Sequence, residues 1–371
     1  MKKLLKMVTI LIVCSLLLSG CWDQRVFEQV GFTLSYGIEE SQDGKLLITS
    51  AYPVIGGVEK GSVDIITTKS SLTRGGRNNM RLMTPKLIEG GKVQQVLISD
   101  SLAKKGIHDL LEIFQRDVTL PAIAFVVITE GSPGELLKKA NEFKSKPRVS
   151  FYIYQLLENN VKLSNIPNTK VFDFDINFFA PGLDPIVPMV KVEDEQIKIT
   201  GCALFSDDKM SGRLNNKESN LLIGLMNQLN NSDFIFSDPK FADKDGDKQG
   251  VAVTMFKPKR KISINFDEEG IPSVEINMKY KCNIDEFEWD DTMDPKVQTD
   301  LEKTFGDNLT TMSNEIIKKL QTVNCDPIGI GDMIRAKYYD YWKSIDWKEM
   351  YPKADIKVST KVEIGNVGII K

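Results

Sequence analysis

Histidine is almost missing from this sequence: His108 is the one instance. A Ser-His-Asp triad, a Cys-His pair or a histidine-bearing zinc site would each have to use that single ring. It falls on an expected helix beginning near Ser101, with nothing beside it that suggests chemistry, so it reads as a solvated or supporting histidine. Cysteine is also scarce, five in all. Cys202, Cys282 and Cys325 are widely separated and odd in number, which excludes a disulfide scaffold, speaks against cysteine-only zinc, allows at most one bridge and favours three buried thiols. Gly329-Ile330-Gly331 lacks the third glycine of a dinucleotide loop, since Ile334 holds that place and no suitable strand precedes it. Asp243-Lys244-Asp245-Gly246-Asp247 resembles the start of a calcium loop, but its glycine comes too early and Thr254 stands where the acidic twelfth ligand belongs. No catalytic, cofactor-binding or metal-binding residue is expected.

Excess charge is lacking as well. The formal charge is −3, and losing Lys2, Lys3 and Lys6 with a leader would take it to −6, so nucleic acid is not an expected partner. Beyond the N-terminus no apolar run approaches the length of a membrane span. At the N-terminus, Lys2, Lys3 and Lys6 precede the apolar run Met7–Leu18, which as a helix covers roughly 18 Å against about 30 Å of bilayer hydrocarbon. Leu18-Ser19-Gly20-Cys21 follows. Residues 1–20 therefore read as a signal peptide, and the last four residues resemble a bacterial lipobox with Cys21 as the lipidated residue. Two acyl chains there would anchor stably where one would not.

The remainder alternates strand and helix signals up to about residue 190. Val30, Phe32, Leu34 and Tyr36 alternate, and a turn at Asp43-Gly44 leads into Leu46-Leu47-Ile48, a hairpin. Residues 56–84 are rich in glycine and asparagine and read as a long irregular excursion with a short strand at Val63–Thr67. A strand at Val93–Ile98, a helix capped by Ser101, a buried strand at Ala122–Thr129 and a helix opened by Ser132-Pro133-Gly134-Glu135 follow. Another helix spans about 150–163, and Asp173 and Asp175 alternate with Phe172, Phe174 and Ile176 as a strand's solvent face would. The C-terminal half is more antiparallel in pattern. It has strands at Lys198–Phe205, Met210–Leu214, Lys261–Phe266 and Val274–Ile284, and a helix at about 217–229. A helix of about 28 residues carries Val297, Leu301, Phe305, Leu309, Met312, Ile316, Leu320 and Val323 in one stripe. A second helix bears Ile334, Tyr338, Tyr341, Trp342 and Ile345, and a final strand bears Ile356, Val358, Val362 and Ile364. The fold class is an α/β N-terminal domain plus an α+β C-terminal part, mixed sheets packed with helices, in two to three domains. The expected boundaries are 21–190 and 191–371, the latter with an alternative split near 270.

Four stretches in order resemble the Ger(x)C family, the lipoprotein C subunits of spore germinant receptors. They are Cys21-Trp22-Asp23-Gln24-Arg25 with Glu28 and Gly31; Arg116-Asp117; Gly201-Cys202-Ala203-Leu204-Phe205 with Asp208-Lys209, Gly212, Leu214 and Glu218; and Asp326-Pro327-Ile328-Gly329-Ile330-Gly331 with Trp342 and Trp347. Val26 departs from the glutamate usual there. The resemblance implies a non-catalytic, lipid-anchored subunit of a nutrient germinant receptor on the outer face of the spore's inner membrane. Its partners would be integral-membrane A-type and B-type subunits.

Two other readings compete with this one. A ligand-capturing lipoprotein serving a membrane transporter would show two similar α/β lobes, and the two halves here differ. An envelope hydrolase could hide its carboxylates among the acidic residues. Candidate membrane-proximal or partner contacts are Trp22, Asp23 and Arg25, beside the anchor, and Arg74, Arg77 and Arg81, which could pair with acidic partner loops or anionic headgroups.

Overall fold

Two sheets organise the chain, and the computed structural model describes them through residues 1–18, 26–54, 62–143, 148–237, 250–287 and 294–366. The first has eight strands in the order Lys209–Leu214, Gln196–Ser206, Ile186–Glu193, Phe125–Thr129, Gln95–Ser99, Ser35–Glu40, Leu46–Pro53 and Val63–Ser70. Its four middle strands run parallel and its flanks antiparallel. Every residue of Gln95–Ser99 and Phe125–Thr129 is buried, as central parallel strands covered on both faces must be. Val96, Ile98, Val126 and Ile128 join one core, while Leu97, Phe125 and Val127 join another. Helices Pro133–Asn141 and Val149–Lys162 cover the second face through Leu136, Leu137, Ile153 and Leu157.

The second sheet centres on the strand Pro272–Glu286, with Val274, Ile276, Met278, Tyr280, Cys282 and Ile284 all buried on one side. Lys259–Phe266 and Val251–Phe256 pair antiparallel along one edge, Asn231–Phe236 lies beyond, and Asp355–Asn366 pairs along the other edge. That last pairing is parallel, where the sequence suggested an antiparallel sheet. The reason is connectivity: the intervening helices form a crossover, which returns the chain in the same direction. The long helix Pro295–Thr322 has the expected 28 residues and buries Leu301, Phe305, Leu309, Ile316 and Leu320. It also blunts the open edge of the last strand. Asn314 exchanges two bonds with Val358 at 2.9 Å each, Thr310 accepts from Thr360 N–H, and Glu302 accepts from Ile364 N–H.

One strand of the first sheet faces both cores. Period-two alternation along Gln196–Ser206 puts Ala203 and Phe205 in the first sheet's core and Cys202 and Leu204 in the second's. The strand Ile186–Glu193 spans the expected boundary at 190, and a division near 270 would fall in the turn of the Lys259–Phe266 and Pro272–Glu286 hairpin.

Several local expectations are corrected. The excursion at 56–84 contains a longer strand, Val63–Ser70, and a helix, Thr73–Arg81, which forms despite Gly75-Gly76 because Gly76, Arg77 and Met80 are buried beneath it. The helix expected from Ser101 is three short pieces, Asp100–Ala103, His108–Leu111 and Ile113–Arg116. Gly106 at φ +120 breaks it, and Ser99 rather than Ser101 caps the first piece. Residues 171–179 form a helix, not a strand. The helix after Gly331 ends at Lys337 and resumes at Tyr339. Strands Asn231–Phe236 and Val251–Phe256 add to the expected elements.

Candidate functional site

Asp326 follows the long helix and is 1% exposed. Its carboxylate accepts four hydrogen bonds. Oδ1 takes Gly329 N–H at 2.9 Å and Ile330 N–H at 3.2 Å; Oδ2 takes Gly331 N–H at 2.8 Å and Trp347 Nε1–H at 3.2 Å. The backbone donors belong to the turn and first residues of helix Ile330–Lys337, whose N–H groups have no partner within the helix. Gly329 at φ +76 turns the chain into it, so this motif aims a helix. Burial pushes the Asp326 carboxyl up to about 7; the backbone donors pull it back, and the nearby Asp184 charge adds to the rise.

Asp184 links this turn to the first sheet. Its Oδ2 accepts Asp326 N–H at 2.8 Å, and its own N–H donates to the Asp326 carbonyl at 3.0 Å. Oδ1 accepts Lys348 Nζ at 2.6 Å and Asp207 N–H at 3.2 Å. Lys348 also reaches Ser206 Oγ at 3.1 Å and the Asp207 carboxylate at 3.3 Å. Burial lowers the Lys348 ammonium, but the Asp184 and Asp207 carboxylates outweigh it and hold the group above its ordinary value. The joint fastens the hairpin at Asp207 to the C-terminal helices. It is a saturated network, suited to rigidity rather than turnover.

The six residues singled out for contact divide. Trp22, Asp23 and Arg25, with the lipidation residue Cys21, lie outside the described residues. Arg77 is corrected: its guanidinium is buried and pairs with Asp117 at 2.5 Å. Burial raises Asp117, but hydrogen bonds from Thr119 and Arg77 prevail and hold its carboxyl down at about 2. Arg81 is partly exposed, and donates to the Ile88 carbonyl at 3.1 Å and to Glu89 at 3.1 Å. Arg74 alone of the three is exposed. The calcium-like segment 243–247 also lies outside the described residues.

His108 is half-buried and supports its neighbours, the second of the two expected readings. Its ring stacks on Phe178 at 4.3 Å and meets Phe179 edge-on at 5.2 Å. Asp175, expected on a solvent face, is buried and accepts from Gln115, while Asp173 caps its helix by accepting Lys170 N–H at 3.0 Å. Cys202, Cys282 and Cys325 are free and buried, and burial pushes the first two thiols up to about 12. Among the described residues no group of three or more His, Cys, Asp or Glu could hold a metal, and no helix is long and apolar enough to cross a membrane. A surface cleft of about 550 Å³ runs past Asn160, Asn165, Gln196 and Asn216, and its Lys198 is paired with Glu193 at 2.8 Å.

What the surface offers instead is apolar. Phe172, Ile176 and Phe179 lie on one face of their helix at i, i+4 and i+7, and are 47%, 55% and 65% exposed. Phe172 N–H donates to the Ala122 carbonyl, which brings exposed Ile123 alongside. These side chains form an exposed apolar stripe. Reading 171–176 with period two hid it, although the i, i+4, i+7 spacing was equally visible.

Comparison with known families and structures decides the assignment. Residues 23–192 match the family described as the spore germination protein N-terminal domain, and residues 200–368 match "Spore germination B3/ GerAC like, C-terminal". The chain belongs to the Ger(x)C family. Among relatives, the spore germination protein GerQC of Bacillus cereus is 23% identical over 359 residues, covering 96% of this chain and 98% of that protein. Spore germination protein KC of Bacillus subtilis is 22% identical, covering 97% and 95%. The crystal structure of the GerBC protein shares the fold, with a TM-score of 0.57 over 92% of this chain and 100% of that one, at 19% identity. These relatives support a role in spore germination.

Within this Ger(x)C chain the resemblance residues are largely structural. Asp117 receives Arg77, and a Cβ on Gly201 would strike the Leu214 carbonyl. Ser219 Oγ donates to Cys202 Sγ at 3.2 Å. Glu218 completes a capping box with Asn215, each receiving the other's backbone N–H at 3.0 Å. Trp347 closes the Asp326 turn. Sequence reasoning missed Asp184 and Lys348, because a contact across 164 positions leaves no local pattern.

Proposed function

We propose that this chain is a lipid-anchored, non-catalytic subunit of a nutrient germinant receptor complex. It is held by a diacylglyceryl group on Cys21 at the outer face of the spore's inner membrane and works beside A-type and B-type integral-membrane subunits. The observation that carries this reading is the match of two consecutive germination family models across residues 23–192 and 200–368. The saturated Asp326–Asp184–Lys348 joint, the buried thiols and the half-buried His108 suit a scaffold. The exposed Phe172, Ile176 and Phe179 face offers a partner surface. A ligand-capturing lipoprotein fits less well, since its two lobes should be alike and these sheets differ in strand number, direction and helix cover.

The test combines anchoring with partner recovery. Cys21→Ala should deplete the protein from the spore membrane and slow nutrient-triggered germination. Phe172→Ser, Ile176→Ser and Phe179→Ser together should leave the folded protein in place but reduce co-purification of integral-membrane subunits. Normal germination in spores carrying either variant would overturn the reading.

A further inference from the structure

A second set of apolar side chains lies at the start of the described fold. Val26 and Phe27 are exposed, as are Leu82, Met83 and Leu87. Two contacts bring their segments together. Strand Val30–Phe32 pairs in parallel with Leu87–Glu89, setting Val30 opposite Leu87, and the Lys86 ammonium donates to the Glu28 carbonyl. Leu82 and Met83 occupy the turn between helix Thr73–Arg81 and that strand, with Arg81 reaching across to the Ile88 carbonyl. Leu82 is 88% exposed and Met83 60%.

We propose that this rim inserts into the headgroup region of the membrane and fixes the protein's orientation on it. The inference rests on the lipidated Cys21 of the preceding reading. Val26 lies five residue steps beyond Cys21. Even a fully extended chain covers at most about 3.6 Å per residue, so Val26 stands no more than roughly 18 Å from a thiol fixed at the bilayer surface. The polar layer of one leaflet is itself roughly 5–8 Å deep. A surface tethered so close to lipid, and presenting Phe, Leu and Met, gains by leaving water. Lys86 adds a cation at the same edge, whose stem can cover apolar surface while its ammonium meets headgroups. Glu28 follows Phe27 on a 3₁₀ turn, where successive side chains diverge by about 120°, so its carboxylate is directed away from the apolar side chain.

The buried thiols make the test clean. With Cys21 acylated and Cys202, Cys282 and Cys325 enclosed, Met83→Cys is the one thiol open to a maleimide nitroxide. Mature protein extracted from membranes would be reconstituted into vesicles of phosphatidylglycerol and phosphatidylethanolamine. Power-saturation spectroscopy would then compare Met83→Cys with Asp109→Cys, a fully exposed site. The expected result is that the Met83 label loses access to an aqueous nickel chelate and stays open to oxygen, while the Asp109 label keeps chelate access. Adding Phe27→Glu and Leu82→Glu should restore chelate access at Met83 with no change in melting temperature. Equal chelate access at both sites, on protein that carries the Cys21 adduct and sediments with vesicles, overturns the rim alone. Exclusion of both oxygen and chelate means protein contact and overturns it as well. An unmodified Cys21 in the intact mass refutes the anchor itself, and the rim falls with it.

Discussion

Replacing Asp326 with asparagine tests whether the joint between the sheets depends on a carboxylate. All four of its partners are donors: Gly329, Ile330 and Gly331 through their N–H groups and Trp347 through Nε1–H. Asparagine keeps one acceptor oxygen and turns two hydrogens toward two of those donors. Above about pH 7, where the carboxyl is ionised, two bonds are lost in either amide orientation, and a bond to a charged group contributes about 1.5–3 kcal/mol, so Asp326→Asn should cost roughly 3–6 kcal/mol there. That is a large share of a typical folding stability of about 5–15 kcal/mol. Differential scanning calorimetry should show a fall of roughly 4–8 °C. A pH series sharpens the test. With its folded pKa raised to about 7, Asp326 binds more protons in the native state than in the unfolded chain between that value and the ordinary carboxyl range near 4. Its contribution is therefore most favourable at the acidic end and declines as pH rises to about 7, by up to about 4 kcal/mol. The asparagine variant should lack this slope. A fall of less than about 2 °C, or parallel pH curves for the two proteins, would refute the reasoning.

Other outcomes follow from the same contacts. Arg77→Ala should lower stability by about 3–5 kcal/mol in urea unfolding because it strands buried Asp117, whereas Arg74→Ala should stay within about 0.5 kcal/mol. Asp117 is held down at about 2. Its hydrogen bonds thus contribute fully above the unfolded carboxyl range and are lost as pH falls from about 4 toward 2, a loss that acid unfolding of Arg77→Ala should show to a smaller extent, since the Thr119 bonds remain. Gly331→Ala should cost about 1–3 kcal/mol, since the added Cβ would strike the Trp347 indole. Leu309→Asp, at a position with no exposed surface, should cost at least about 3 kcal/mol, and an unchanged melting temperature would show that face to be solvated.

Sequence alone determined the elements whose signal is local and repeated. The stripe through Leu301, Phe305, Leu309 and Ile316 marked a 28-residue helix, alternation through Val274–Ile284 marked a buried strand face, and Ser132-Pro133 marked a helix start. In each, one periodic pattern had one physical interpretation. The ordered Ger(x)C motifs also pointed to the family, because they recur in sequence along the whole chain.

Tertiary structure decided the rest. At 171–176 two periods fitted the same residues, and only packing of Val171 and Phe174 into the core selected helix over strand. At 73–81 poor intrinsic propensity was overridden by burial of Met80 and pairing of Arg77 with a residue 40 positions away. Asp326 stood in a sequence motif, but nothing local marked Asp184 and Lys348 as its partners in the joint. Hydrogen bonds between residues 142 and 164 positions apart are fixed by where the two sheets meet, and nothing in the chain near Asp184 records what it will touch.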